Sequence, residues 1–181
     1  MNSISTAHKV IRNGGVIAYP TEAVYGLGCD PWNESAVHKI LGLKQRDINQ
    51  GLIVIAADFA QLEPLLKPLP ENIRQHVFAT WPGPVTWLIP ASDACPRWLT
   101  GEHATLAVRV SAHPLVQTLC QQTGPLVSTS ANPHGQPPAR DAQTVRRYFA
   151  DRIDYIVEGE VGGSEKPSEI RDAVSGAIIR H

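Results

Sequence analysis

The stretch Gly14 to Asp30, GGVIAYPTEAVYGLGCD, constrains the fold more than any other part of the chain. Val16 to Tyr19 is β-branched and aromatic behind a Gly-Gly turn, which suits a buried strand. Pro20 has no amide hydrogen for a ladder, so the chain is expected to turn there. Beyond it, Thr21, Glu22 and Tyr25 put polar tips on a segment otherwise made of Ala, Val, Leu and Gly, and Gly26 and Gly28 would let backbone approach a ligand. The stretch reads as a strand ending in a binding loop. The same glycines could serve a plain turn, and their spacing alone does not decide between the two.

The rest of the chain alternates helical and extended patterns. Ile4, Ala7, Val10 and Ile11 recur at helical spacing before Gly14, a residue type favoured just past a helix. Asn33 is placed to cap a helix with Ala36, Val37, Ile40 and Leu41 on its apolar face and Lys44 and Arg46 at its end, where cations suit the helix dipole. Leu52 to Ala57 is a continuous apolar run, as expected of a strand covered on both faces. Asp58 caps a predicted short helix to Leu66, and Pro70 opens another to about Thr80 with Ile73, Val77 and Phe78 inward. WPGPVTWLIP turns and enters a strand whose neighbouring Trp81 and Trp87 would need indole partners if buried. Further strands are predicted at Thr105 to Val110, Leu126 to Ser128 and Ile153 to Val157. Helices are predicted from His113-Pro114 to Gly124 and after Asp141, with a closing hairpin about Ser175-Gly176. The sum is an α/β fold in one domain over residues 1–181: a mixed parallel and antiparallel sheet with flanking helices.

With 181 residues, 43% of them hydrophobic, the chain is long enough for one sizeable core, and it carries neither a repeat nor a low-complexity tract. Fifteen prolines and fourteen glycines are spread along it as turn markers instead of gathering in a linker. No apolar run reaches the roughly 18 residues of a membrane span, and the N-terminus lacks a signal peptide's apolar core, so a soluble, cytoplasmic protein is expected. Cys29, Cys95 and Cys120 are odd in number and have no CxxC spacing, which points to reduced thiols and to neither disulfides nor zinc. A formal net charge of −1 excludes a generally basic nucleic-acid coat. Contact with phosphate or RNA must come from a local cluster.

Three stretches fall at the ends of predicted strands, where α/β sheets bind ligands: PTEAVYGLG, Lys44-Gln45-Arg46 with its following strand, and Ser128 to Asn132. Lys44 and Arg46 offer a point charge and a fixed fork suited to a polyphosphate. Ser128, Thr129, Ser130 and Asn132 offer hydroxyls and an amide after an apolar strand, and could equally form an ordinary polar turn. Arg109 sits inside the apolar strand Leu106 to Val110, where a guanidinium is either one half of a buried ion pair or a bidentate holder of a carboxylate. No GxxxxGK[ST], HExxH or Cys/His cluster is present.

Through AYPTEAVYGLG, LKQR, WPGPVT, LAVRVSAHP, LVSTSAN and KPSEIRD, nearly the whole chain resembles the YrdC/TsaC family of threonylcarbamoyl-adenylate synthases. The resemblance implies a twisted mixed sheet with a concave, positively lined face. It also implies conversion of L-threonine, bicarbonate and ATP to threonylcarbamoyl-AMP and pyrophosphate, the first step towards tRNA N6-threonylcarbamoyladenosine, with Mg²⁺ carried on the nucleotide. Carried over residue by residue, Lys44 and Arg46 would be catalytic. Lys44, Arg46, Ser130 and Asn132 would bind ATP, Thr21, Arg109 and Ser168 would bind threonine, and no residue is assigned to a protein-held metal. The chain looks like the family's short form, for which separate tRNA threonylcarbamoyl-transfer proteins would be the downstream partners and tRNA a further possible contact. It departs from the family pattern at Asp47, where many members have proline and where a carboxylate could compete for Arg46. It departs again at Ile55, where many carry a histidine, so that one polar contact to ligand would be missing. A rival reading is an RNA-binding or ribosome-maturation module using the same concave face, with Arg140, Arg146, Arg147 and Arg152 as phosphate contacts.

Overall fold

A computed structural model describes residues 3–180. Helix α1 (Ser3–Arg12) buries Ile4, Ala7 and Ile11, and the chain leaves it through Gly14 at φ +78°, a left-handed conformation that glycine adopts without strain. Strand β1 (Ile17–Pro20) follows, fully buried. The segment after Pro20 departs from the sequence expectation in part: the loop is confined to 21–24, and it closes a hairpin. Thr21 closes the turn, with both its amide and its hydroxyl donating to Val24 O at 3.0 and 2.7 Å. The chain then returns as strand β2 (Tyr25–Gly28), antiparallel to β1. The glycines serve packing between strands as well as access to the cavity. A Cβ on Gly28 would stand 2.6 Å from Val127 O and 2.7 Å from the Tyr19 ring, so β2 fits between its neighbours only without that side chain.

Asn33 caps α2 (Glu34–Lys44) by accepting from Ala36 N at 3.0 Å, and Ala36, Val37, Ile40 and Leu41 are buried as the spacing predicts. The helix ends at Lys44. Gln45 turns the chain with φ +51°, so Arg46 lies past the helix instead of in its last turn. Strand β3 (Ile53–Ala56) comes next. The helix expected from Asp58 to Leu66 is instead two 3₁₀ turns, Phe59–Gln61 and Glu63–Leu65, because Pro64 cannot supply the amide that would join them. Helix α3 (Glu71–Phe78) leads to β4 (Val85–Pro90), and both tryptophans find partners: Trp81 Nε1 donates to Val85 O at 2.7 Å and Trp87 Nε1 to Thr80 Oγ1 at 2.9 Å.

A short α4 (Arg97–Thr100), β5 (Thr105–Val110), α5 (Pro114–Thr123) and β6 (Leu126–Ser130) follow. Asp141 caps α6 (Ala142–Phe149), and β7 (Tyr155–Ile156) is shorter than its apolar run. A closing hairpin is formed by β8 (Glu169–Asp172) and β9 (Ile178–Arg180).

The nine strands of the described residues join one mixed sheet in the order β7-β1-β2-β6-β3-β5-β4-β8-β9, parallel at β7/β1, β3/β5 and β4/β8 and antiparallel elsewhere. Helices α1 and α5 cover one face over Tyr19, Ile55 and Leu126. Residues of α2, α3 and α6 pack into the larger cluster with Val54, Val108 and Leu27. Two strands brought side by side, β3 and β5, place Ile55 next to Arg109 and Ile53 next to Ala107. Alternation puts these four on one face, part of it under α5 and part left open.

Candidate active site

The open part is a cavity of about 540 Å³ walled by β2, β5, β6, the segment after α2, and the 166–170 and 179–180 stretches. Of the sequence-predicted residues it brings together Thr21, Arg46, Arg109, Ser130 and Ser168 around its walls. Lys44 and Asn132 are not among the lining residues and reach the cavity through Ser130. The Lys44 ammonium donates to Ser130 O at 2.6 Å, Asn132 O at 3.0 Å and Asn132 Oδ1 at 3.1 Å, with Ser130 Oγ at 3.4 Å. Ser130 Oγ itself donates to Asn132 Oδ1 at 2.7 Å. Lysine and loop therefore form one unit. Burial, reinforced by the Arg46 charge, brings the Lys44 pKa down from 10.5 to about 8.

Arg46 reaches the cavity from the turn after α2. One NH2 donates to Gly51 O at 3.0 Å, and its Nε has no hydrogen-bond partner among the described residues. Burial and then the nearby Arg180 charge both act against its charged form, so two cations are neighbours there, and among the described residues neither forms an ion pair. Arg180 also donates to Ser168 O at 3.0 Å, and Lys166 lines the same cavity. Arg180 and Lys166 escaped the sequence reading because the closing IIRH registered only as one arm of a hairpin and KPSE only through its serine.

Arg109 is buried and its NH2 lies 3.3 Å from Glu22 Oε2, so the ion pair that the sequence left open is present. Ser168 shares a 2.9 Å hydrogen bond with the buried Thr86 hydroxyl. Leu52, Leu88, Leu99, Ala107 and Ile179 supply an apolar side to the cavity, with Thr100 and His103 beside them.

Both departures from the family pattern take structural places. Asp47 caps the 3₁₀ turn Ile48–Gln50 by accepting from Asn49 N at 2.9 Å and forms no ion pair with Arg46. Ile55 is fully buried against α5 and is not on the cavity wall. Among the thiols, burial pushes Cys95 up to about 11 and Cys120 to about 12, which removes them as thiolate nucleophiles near neutrality. Three of the four arginines of the rival reading have local partners. Arg146 pairs with Glu158, Arg147 donates to Thr144 Oγ1, and Arg152 donates to the carbonyls of Phe149 and Tyr148.

Against known proteins, the profile of the Sua5/YciO/YrdC family, described as "Telomere recombination", matches residues 9–181. The chain belongs to this family. It is 53% identical over 179 residues to a Coxiella burnetii protein named threonylcarbamoyl-AMP synthase, covering 98% of this chain and 96% of that one. A Pseudomonas paraeruginosa protein of the same name is 56% identical over 174 residues, covering 96% and 94%. The solved structure of P. abyssi Sua5 complexed with L-threonine superposes with a TM-score of 0.88 at 36% identity over 95% of this chain. The chain spans about half (52%) of that longer protein. The family's α/β fold, with one mixed sheet and flanking helices, is thus the fold of this chain. Among the described residues no helix is long and apolar enough to cross a membrane.

Proposed function

We infer that the chain is an enzyme that converts L-threonine, bicarbonate and ATP to threonylcarbamoyl-AMP, pyrophosphate and water, the first step of tRNA threonylcarbamoyladenosine formation. The full-length similarity to two threonylcarbamoyl-AMP synthases and the likeness to a threonine-bound Sua5 support the reaction. The observation that carries the residue assignment is the single cavity shared by Arg46 and Ser130 with Thr21, Arg109 and Ser168. Cations that form no ion pair among the described residues suit a triphosphate, and a buried guanidinium beside small hydroxyls suits an amino acid.

In this reading the carbamate formed on the threonine amine attacks the α-phosphorus through its oxygen. The bond to the β-phosphate breaks and pyrophosphate leaves with the electron pair. Arg109 orients the threonine carboxylate, Thr21 and Ser168 meet its polar groups, and Arg46 with Arg180 neutralises the phosphates. Lys44 acts from behind, holding Ser130 and Asn132 in the shape that receives the nucleotide and adding its charge. No protein nucleophile is needed, because adenylyl transfer is accelerated by positioning and charge neutralisation.

Mg²⁺ carried on the nucleotide belongs to this reading. The described residues hold no group of three or more His, Cys, Asp or Glu placed to cage a metal, and the cavity's carboxylate, Glu22, is already engaged. That donor set fits an ion held by phosphate oxygens, where it would supply charge neutralisation at the leaving pyrophosphate. The reading further takes the whole chain as one domain working in the cytoplasm, with tRNA and transfer proteins downstream. Pyrophosphate release that persists when threonine is left out would refute it.

A further inference from the structure

We propose that Glu22 is the positioning residue for Arg109, so that the buried chain Ser111–Glu22–Arg109 sets the enzyme's hold on the amino-acid carboxylate. This rests on the reading of Arg109 as the carboxylate contact.

Glu22 follows Thr21 in the β1–β2 turn, and its side chain is turned towards the end of β5. Oε1 accepts from the Ser111 hydroxyl at 2.7 Å and from Ala112 N at 3.1 Å, while Ser111 Oγ accepts in turn from His113 N at 3.2 Å. The backbone is held as well, with Ser164 N donating to Glu22 O at 3.1 Å and Gly162 packed so close that a Cβ there would lie 2.9 Å from Glu22 Cα. One carboxylate oxygen is therefore locked by two donors from the segment after β5. The other, Oε2, is buried with no hydrogen-bond partner among the described residues and stands 3.3 Å from the Arg109 guanidinium.

A buried ion pair adds little net stability, because desolvating both charges offsets their attraction. What this one does is hold a long, rotatable side chain in a single place. Arg109 has five N–H donors, and Glu22 is the acidic group that faces it among the described residues. Arg109 Nε is buried with no hydrogen-bond partner among the described residues, while the residue lines the cavity. The guanidinium is thus tethered on one side and has donor capacity left for a second carboxylate, the preorganised state that lowers the cost of binding.

Glu22→Gln tests the tether with little change of shape. Ala112 N–H can only donate, so the amide oxygen takes the Oε1 place and the NH2 is forced against Arg109, donor facing donor. The threonine KM should rise about tenfold or more, with kcat and the ATP KM within roughly twofold. Combining Glu22→Gln with Arg109→Lys should be little worse than Arg109→Lys alone. Ser111→Ala, which removes one donor to Oε1 and leaves the ion pair, should give a smaller rise of the same kind and serves if Glu22→Gln fails to fold. The proposal is overturned if Arg109→Lys raises the threonine KM while Glu22→Gln and Ser111→Ala do not, or if both variants raise the ATP KM as much as the threonine KM. An Arg109→Lys variant with normal threonine KM would instead overturn the carboxylate assignment, and this proposal with it.

Discussion

Replacing Arg109 by lysine separates substrate recognition from fold stability. Deleting the side chain would leave Glu22 as an uncompensated buried charge, at a cost of about 3 to 5 kcal/mol. Lysine can keep a positive charge near Glu22 Oε2, now 3.3 Å from the guanidinium, so much of that cost is avoided. It loses the planar fork that lines the cavity, and with it one arm of any bidentate bond to substrate. One charge-assisted hydrogen bond contributes roughly 1.5 to 3 kcal/mol, or about 10- to 150-fold in affinity. The expected outcome is a threonine KM raised by that factor, measured as pyrophosphate release at saturating ATP, with the ATP KM nearly unchanged at saturating threonine. Impairment confined to ATP, or none at all, would show that the carboxylate is held elsewhere.

Arg46→Ala should weaken ATP use strongly while its melting temperature stays near the wild-type value, since a cation facing Arg180 contributes little to stability; unchanged pyrophosphate release would remove it from the phosphate site. Wild-type ATP affinity should fall as pH rises through about 8, where Lys44 loses its proton, and Lys44→Met should bind weakly without that step. The unfolded lysine keeps its proton up to 10.5, so between about 8 and 10.5 the unfolded state binds more protons and wild-type stability should gain with pH relative to Lys44→Met in parallel melts. Serine, lacking only a methyl, should be used at a cost of about 1 to 3 kcal/mol in kcat/KM, while valine, lacking the hydroxyl, should fare worse; equal rates for valine and threonine would remove the polar pocket. Gly28→Ala should destabilise by about 1 to 3 kcal/mol in denaturant melts, because its methyl would meet Val127 O and the Tyr19 ring.

Patterns local in sequence were legible: the Asn33 and Asp141 caps, the buried face of α2, the β3 and β5 strands and the closing hairpin are written in spacing and cap chemistry. Strand β2 was not, because YGLG has poor intrinsic strand preference and becomes a strand only where β1 and β6 leave room for its glycines. Arg109 stood out as a charge in an apolar strand, and Thr21, Arg46, Ser130 and Ser168 were carried by resemblance to the same cavity. Glu22 was visible as a polar tip, but its link to Ser111 spans 89 residues and only the folded chain makes it. The same holds for Lys44, whose place behind Ser130 follows from α2 ending beside β6 and not from anything in the LKQR motif itself.

The central claim is most directly tested by incubating the protein with ATP, bicarbonate and each amino acid in turn and detecting the carbamoyl-adenylate by mass. The account predicts the threonylcarbamoyl-AMP mass only when threonine, bicarbonate and ATP are all present, with an equal amount of pyrophosphate. Pyrophosphate released without that adduct, or an adduct formed equally well from valine, would contradict it.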